Sequence, residues 1–155
     1  MLRDQTAADV FTEFARHLEP GLRRGLTAGF GSEVGCEAAA EALVYGWKHW
    51  DRVEGMDNPA GYLFRIGQNK ARDMAGRSRW SSRDEVMFEE PWAEPAFGPA
   101  WSSLSDRQRV VIGLVYGFDW SLGEVADLLG VSKGTVQVFE KRGMAKLRHD
   151  LGVER

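Results

Sequence analysis

The sequence predicts an all-α fold of two small helical domains joined by an acidic linker. Three observations carry that prediction. Apolar residues recur at three- and four-residue spacing in both halves, the stretch between the halves combines acid and proline without any regular period, and no segment alternates as a strand would. The chain has 155 residues and 43% hydrophobic content, enough for compact cores. The three parts are read as residues 1–79, 80–99 and 100–155.

In the first part, Phe11, Phe14, Leu18, Leu22 and Leu26 recur every three or four residues, with Pro20-Gly21 as a candidate interruption. Cys36, Ala39, Ala40, Leu43, Val44 and Trp47 then mark one apolar helix face, which predicts Cys36 and Trp47 as core residues. Asn58-Pro59 is a helix start, an N-cap amide followed by proline at a position where a missing N–H costs nothing. On the helix it opens, Ala60, Leu63, Phe64, Gly67, Ala71, Met74 and Ala75 face inward. Arg65, Gln68, Asn69, Arg72 and Arg79 form the opposite stripe. A solvated surface could carry that stripe, but the lack of any acid in it favours a phosphate-facing one.

The linker holds Arg83 against five acids from Asp84 to Glu94, and Pro91, Pro95 and Pro99, with Trp80 and Trp92 inside it and Trp101 beside it as candidate anchors. The charge of −3 therefore concentrates there: residues 1–79 are neutral, 80–99 carry −4 and 100–155 carry +1.

Two capping boxes follow, Ser105-Asp106-Arg107-Gln108 and Ser121-Leu122-Gly123-Glu124. The first opens a helix with Val111, Leu114, Val115 and Phe118 on its apolar face; the second precedes Val125, Ala126, Leu128 and Leu129 and a stop at Gly130. After the turn Gly130-Val131-Ser132, Val136, Phe139, Gly143 and Leu147 share the inward face of a final helix. A short helix, a glycine turn and a second helix with a polar start make a helix-turn-helix, though a plain helical hairpin would share the caps. A helix fits the major groove, and Ser132, Lys133, Thr135 and Gln137 stand where its first turns would meet bases or phosphates. Lys141, Arg142, Lys146 and Arg148 lie farther along, where DNA backbone contacts would be made.

Other chemistries are poorly served. The longest apolar run is too short for a membrane span and the start lacks a signal peptide, so a cytoplasmic location is expected. One cysteine, Cys36, cannot form an internal disulfide, and His17, His49 and His149 lack metal-ligand spacing, so no metal or other cofactor is expected. Neither the histidines nor the Glu89-Glu90 pair has a fixed partner for catalysis, which argues against an enzyme with a small-molecule substrate.

The stretch LSDRQRVVIGLVYGFDWSLGEVADLLGVSKGTVQVFEKRGMAKL, Leu104 to Leu147, resembles the fourth conserved region of bacterial sigma factors of the extracytoplasmic-function class. CEAAAEALVYGW at Cys36 to Trp47 and GYLFRIGQNKARD at Gly61 to Asp73 resemble the second region of the same family. The resemblance implies a protein that binds RNA polymerase core through its clamp and flap and directs initiation at promoter DNA. It gives Glu37, Glu41, Val44 and Trp47 to the polymerase clamp, and Asp51, Arg52, Asn58, Arg65, Asn69, Lys70, Arg72, Asp73 and Arg79 to the downstream (minus-ten) element and its flipped base. It gives Ser132, Lys133, Thr135, Gln137, Val138, Lys141, Arg142 and Lys146 to the upstream (minus-thirty-five) element. It also implies an anti-sigma protein as a partner, and a connector whose acids occupy space otherwise taken by nucleic acid in the polymerase. Ala40, Gly67-Gln68 and Phe139-Glu140 depart from the family's pattern, where Gln, Ala-Arg and Arg-Leu are usual. Phe139 is expected to fill the inward place, with Glu140 turned outward toward DNA. These departures keep a second reading open: a sigma-like DNA-binding regulator, or a protein-binding decoy that does not initiate. Near-neutral charge in the first domain also implies weak duplex binding by the chain alone.

Overall fold

A computed structural model describes residues 2–77 and 95–153, with the side chains of 2–4 and 77 left out. The acidic run, Arg79, Trp80 and Trp92 lie outside the described residues. Eight α-helices follow one another: α1 Leu2–Phe30, α2 Ser32–Lys48, α3 Trp50–Val53, α4 Pro59–Arg77, α5 Phe97–Ser103, α6 Asp106–Ile112, α7 Leu122–Leu129 and α8 Lys133–Asp150. No strand occurs among the described residues. Helix α5 opens at Phe97, so the last three residues of the stretch read as linker are helical.

Helix α1 is continuous through Pro20, which was the expected interruption. A proline inside a helix costs roughly 3 kcal/mol. Leu18 and Leu22 are buried on either side of it, and Gly21 lets the Trp120 ring lie directly on the helix backbone. Packing outweighs the local penalty. The length of α1 matters because it serves both halves, packing on α2 and α4 as well as on α6 and the π-helical turn Gly113–Gly117 that follows α6.

Helix α2 corrects the sequence reading. Its packed face is Gly35, Ala38, Ala39, Ala42 and Gly46, turned by roughly 100° from the predicted one. The cause is close approach: a Cβ on Gly35 would lie 2.5 Å from the backbone of Thr27, so only small residues fit against α1. Of the predicted face only Ala39 is buried. Cys36 and Ala40 are exposed, Leu43 is half-buried, and Val44 and Trp47 remain 53% and 47% exposed. Trp47 nonetheless touches Phe11, its ring centroid 5.4 Å away.

Helix α4 packs as read, with Leu63, Phe64, Gly67 and Ala71 buried and Ala60, Met74 and Ala75 half-buried. Asn58 caps it, its Oδ1 accepting from the Gly61 N–H at 2.9 Å. Gln68, assigned to the polar stripe, is instead buried. Both capping boxes form, at Ser105 with Gln108 and at Ser121 with Glu124.

One apolar cluster runs through both halves. Leu22 and Leu26 of α1, Leu63 and Phe64 of α4, Val110 and Val111 of α6, Leu114 of the π-turn, Val125 of α7 and Val136 of α8 are all fully buried in it. A smaller cluster of Ala100, Trp101, Leu104, Ile112 and Leu147 fastens α5 to α6 and α8, and so gives Trp101 the anchoring place expected of it.

Candidate nucleic-acid interface

The helix-turn-helix is α7, its turn and α8. Gly130 ends α7 with φ 69, a left-handed conformation that glycine adopts without a Cβ clash. The Val131 N–H returns to the Ala126 carbonyl at 3.1 Å, which closes the turn. Ser132 then caps α8: its Oγ accepts from the Thr135 N–H at 3.1 Å and meets Thr135 Oγ1 at 2.9 Å. Val136, Gly143 and Leu147 anchor α8 inward, with Phe139 half-buried beside them. A Cβ on Gly143 would lie 2.5 Å from Ile112 Cδ1, so the glycine lets α8 lie close against α6.

This anchoring leaves Ser132, Lys133, Thr135, Gln137, Val138, Lys141 and Arg142 exposed together on the opposite side. Lys146 is exposed as well, but its Nζ donates to the Ser103 carbonyl at 2.9 Å and is thereby drawn toward α5. Glu140 corrects the expectation for the Phe139-Glu140 step. It is half-buried and accepts from the Tyr116 hydroxyl at 2.6 Å, so its carboxylate is held beside the π-helical turn Gly113–Gly117 rather than left free to turn outward. That bond to the carboxylate pushes the Tyr116 phenol above its ordinary value.

The second set of residues lies on α2 to α4. Arg65, Asn69 and Asp73 are exposed along α4, and Asp51 and Arg52 are exposed on α3. Arg52 Nη2 donates to the Tyr45 hydroxyl at 2.6 Å and to the Tyr62 hydroxyl at 3.3 Å, with the two hydroxyls 3.3 Å apart. The bond with Tyr62, with help from Arg52, lowers the Tyr45 phenol. This tyrosine–arginine cluster escaped sequence reasoning, because its members are spread over α2, α3 and α4 and share no periodic signal. Lys70 pairs with Glu41 at 3.5 Å, which joins a residue assigned to DNA to one assigned to the clamp. Glu37, Val44 and Trp47 stay exposed on α2.

Two members of the downstream set make polar contacts with the C-terminal half. Arg72 makes a forked contact with Asp106, Nε to Oδ2 at 3.0 Å and Nη2 to Oδ1 at 3.1 Å, which raises the guanidinium above its ordinary value. The Asn58 amide donates to the Asp127 carbonyl at 2.7 Å. Arg109 also crosses the seam, donating to the Gly29 carbonyl at 2.8 Å and on its own side to Ser102 and Leu104.

Residues 100–149 match the family model for sigma-70, region 4. The C-terminal helices are therefore similar to a sigma-70 region 4. The matched residues include the whole of the helix-turn-helix and the capped, exposed α8 up to His149. No curated protein matches the chain. Among solved structures, the sigma factor RpoE of Bartonella quintana, determined in complex with the anti-sigma factor NepR, is similar over 94% of this chain and 98% of that one, at 24% identity and a TM-score of 0.59. That likeness is one of fold. The region 4 match agrees with the sequence resemblance of Leu104 to Leu147. The sigma-70 family is not an enzyme family. Among the described residues no helix is long and apolar enough to cross a membrane.

Proposed function

We propose that the chain is an alternative sigma factor that binds RNA polymerase core and directs promoter-specific initiation in the bacterial cytoplasm. The observation that carries this reading is the region 4 helix α8, with Lys133, Thr135, Gln137, Lys141 and Arg142 presented on one open side, joined to a second helical domain that presents Arg65 and Asn69. In this reading α8 reads the upstream element, while α3 and α4, from Asp51 to Asp73, hold the downstream strand. Glu37, Glu41, Val44 and Trp47 dock on the polymerase clamp: Val44 and Trp47 are large apolar side chains left about half exposed on the outer side of a helix whose packed face is small, as suits a protein-binding surface. Region 4 docks on the flap. The RpoE neighbour was solved with an anti-sigma factor, which makes a protein antagonist a reasonable further partner for this chain.

Two promoter elements about 25 base pairs apart are separated by roughly 85 Å along B-form DNA. Asn58 and Asp127 are joined here by a hydrogen bond of 2.7 Å. A chain that reads both elements must hold its halves apart, and polymerase supplies the scaffold for that. Co-elution of the purified chain with core polymerase on gel filtration, followed by run-off transcription, tests the proposal. A chain that does not co-elute with core is not a sigma factor, and binding without run-off products supports the decoy reading.

A further inference from the structure

The tyrosine–arginine cluster of α2, α3 and α4 holds more donors than acceptors. Arg52 Nη2 lies 2.6 Å from the Tyr45 hydroxyl and 3.3 Å from that of Tyr62, and a guanidinium only donates. The hydroxyls are 3.3 Å apart, so one of them donates to the other. Tyr45 is the acceptor of that pair, because its oxygen lies nearer the Arg52 cation, which favours the partial negative charge of an accepting oxygen. The bond from Tyr62, and then Arg52, hold the Tyr45 phenol below its ordinary value, and the same bond raises that of Tyr62. A hydroxyl has two lone pairs and one hydrogen. With both lone pairs of Tyr45 filled, its own O–H remains to donate, and it meets no acceptor among the described residues. Arg52 likewise keeps its Nε and Nη1 unspent: Asp51 and Glu54 flank it in sequence, but neither pairs with it.

We propose that Tyr45 and Tyr62 position Arg52 for a backbone phosphate of the downstream strand, with the Tyr45 O–H and the free edge of Arg52 donating to its oxygens. This inference rests on the reading of α3 and α4 as the strand-binding face. Aimed donors that lack an acceptor suit an oxyanion, and charge-assisted bonds from arginine are the strong ones. The tyrosines supply what an exposed arginine lacks, a fixed direction. Both are half-buried, and the His49 ring lies 4.3 Å from that of Tyr45, centroid to centroid, which limits its swing. The side-chain entropy that Arg52 would lose on meeting a phosphate is therefore already lost in the folded chain. Lys70 does not substitute for it, since its ammonium is paired with Glu41. Tyr45 and Tyr62 thus act chiefly through Arg52, as positioning residues.

The test uses the full chain and a fluorescein-labelled single strand of about 20 nucleotides and randomised sequence, read by anisotropy from about 20 to about 200 mM salt. Arg52→Ala should weaken binding about tenfold and reduce the slope of log affinity against log salt by about 0.7, the value for one phosphate of a single strand. Tyr45→Phe removes no charge and keeps the ring, yet it should weaken binding about threefold to fivefold and reduce the same slope, because an unaimed guanidinium neutralises the phosphate less. In the Arg52→Ala background Tyr45→Phe should cost less than about twofold, since there is no longer a guanidinium to aim. A role in folding alone would lower the melting point and leave the slope unchanged. Should Tyr45→Phe lower the melting point, Tyr62→Phe carries the test, with a loss of about twofold and the same change of slope expected. An unchanged slope in the variant that keeps its fold, equal losses from Tyr45→Phe with and without Arg52, or no binding by the native chain at about 20 mM salt overturns the proposal. Core co-elution by the native chain is read separately, so a chain that binds core but fails these measurements loses this inference and keeps its proposed function.

Discussion

Leu114 lies in the C-terminal half, yet it is fully buried against Gly25 of α1 and in the same cluster as Phe64 of α4. Leu114→Ala removes a side chain that closes the seam from one side. The loss of transfer energy and the cavity together cost about 2–5 kcal/mol, and about 3 kcal/mol is taken from within that range. For a chain of 155 residues, each kcal/mol shifts the melting point by about 2–4 °C, so a fall of about 6–12 °C is expected. The location of the loss is more informative than its size. Because one cluster runs through both halves, amide hydrogen exchange should accelerate in α2 and α4 as well as in α6 to α8. Calorimetry gives the first number and exchange mass spectrometry the second. Faster exchange confined to residues 95–153, with α2 and α4 unchanged, would refute the shared core.

Other outcomes follow from the two faces. Lys133→Ala combined with Gln137→Ala removes two exposed side chains from the start of α8, and should lower initiation at promoters that depend on the upstream element by about tenfold while core co-elution is unchanged. Tyr116→Phe removes the donor that holds Glu140. The freed carboxylate should weaken duplex binding by about twofold to fivefold at low salt, measured by anisotropy, and the loss should vanish when Glu140→Gln is added. The same bond sets a pH dependence: the Tyr116 phenol is raised from its ordinary value of 10.0, so its contribution to stability is complete below that value and is lost as pH rises through the raised one. The melting difference between native chain and Tyr116→Phe should therefore be level up to about pH 10 and shrink above it.

What was legible in the sequence was mostly local. Both capping boxes, the Asn58-Pro59 start, the Gly130 stop and the Ser132 cap formed as read, because each depends on residues within four positions of one another. The helix-turn-helix and its exposed side followed from the same local rules. Helix α2 was misread because periodicity weights large apolar residues, whereas a close helix crossing selects small ones; Gly35 and Ala38 went in, and Val44 and Trp47 stayed out. Pro20 failed to break α1 for a reason 100 residues away, the ring of Trp120. Gln68 and Glu140 were placed on outward faces that tertiary neighbours turned inward. The fork between Arg72 and Asp106 joins residues 34 apart, and no pattern in either helix announces it. Contacts across the seam between the halves are the part of this molecule that single-sequence reasoning does not reach.

The central claim is that this chain turns core polymerase into a promoter-specific enzyme. Genome-wide run-off transcription, with core polymerase from the source bacterium and genomic DNA as template, tests it most directly. The account predicts transcript starts absent with core alone, each preceded by one shared pair of sequence elements at fixed spacing. The same starts should be lost with the Lys133→Ala, Gln137→Ala variant. A transcript profile identical to that of core alone would contradict it.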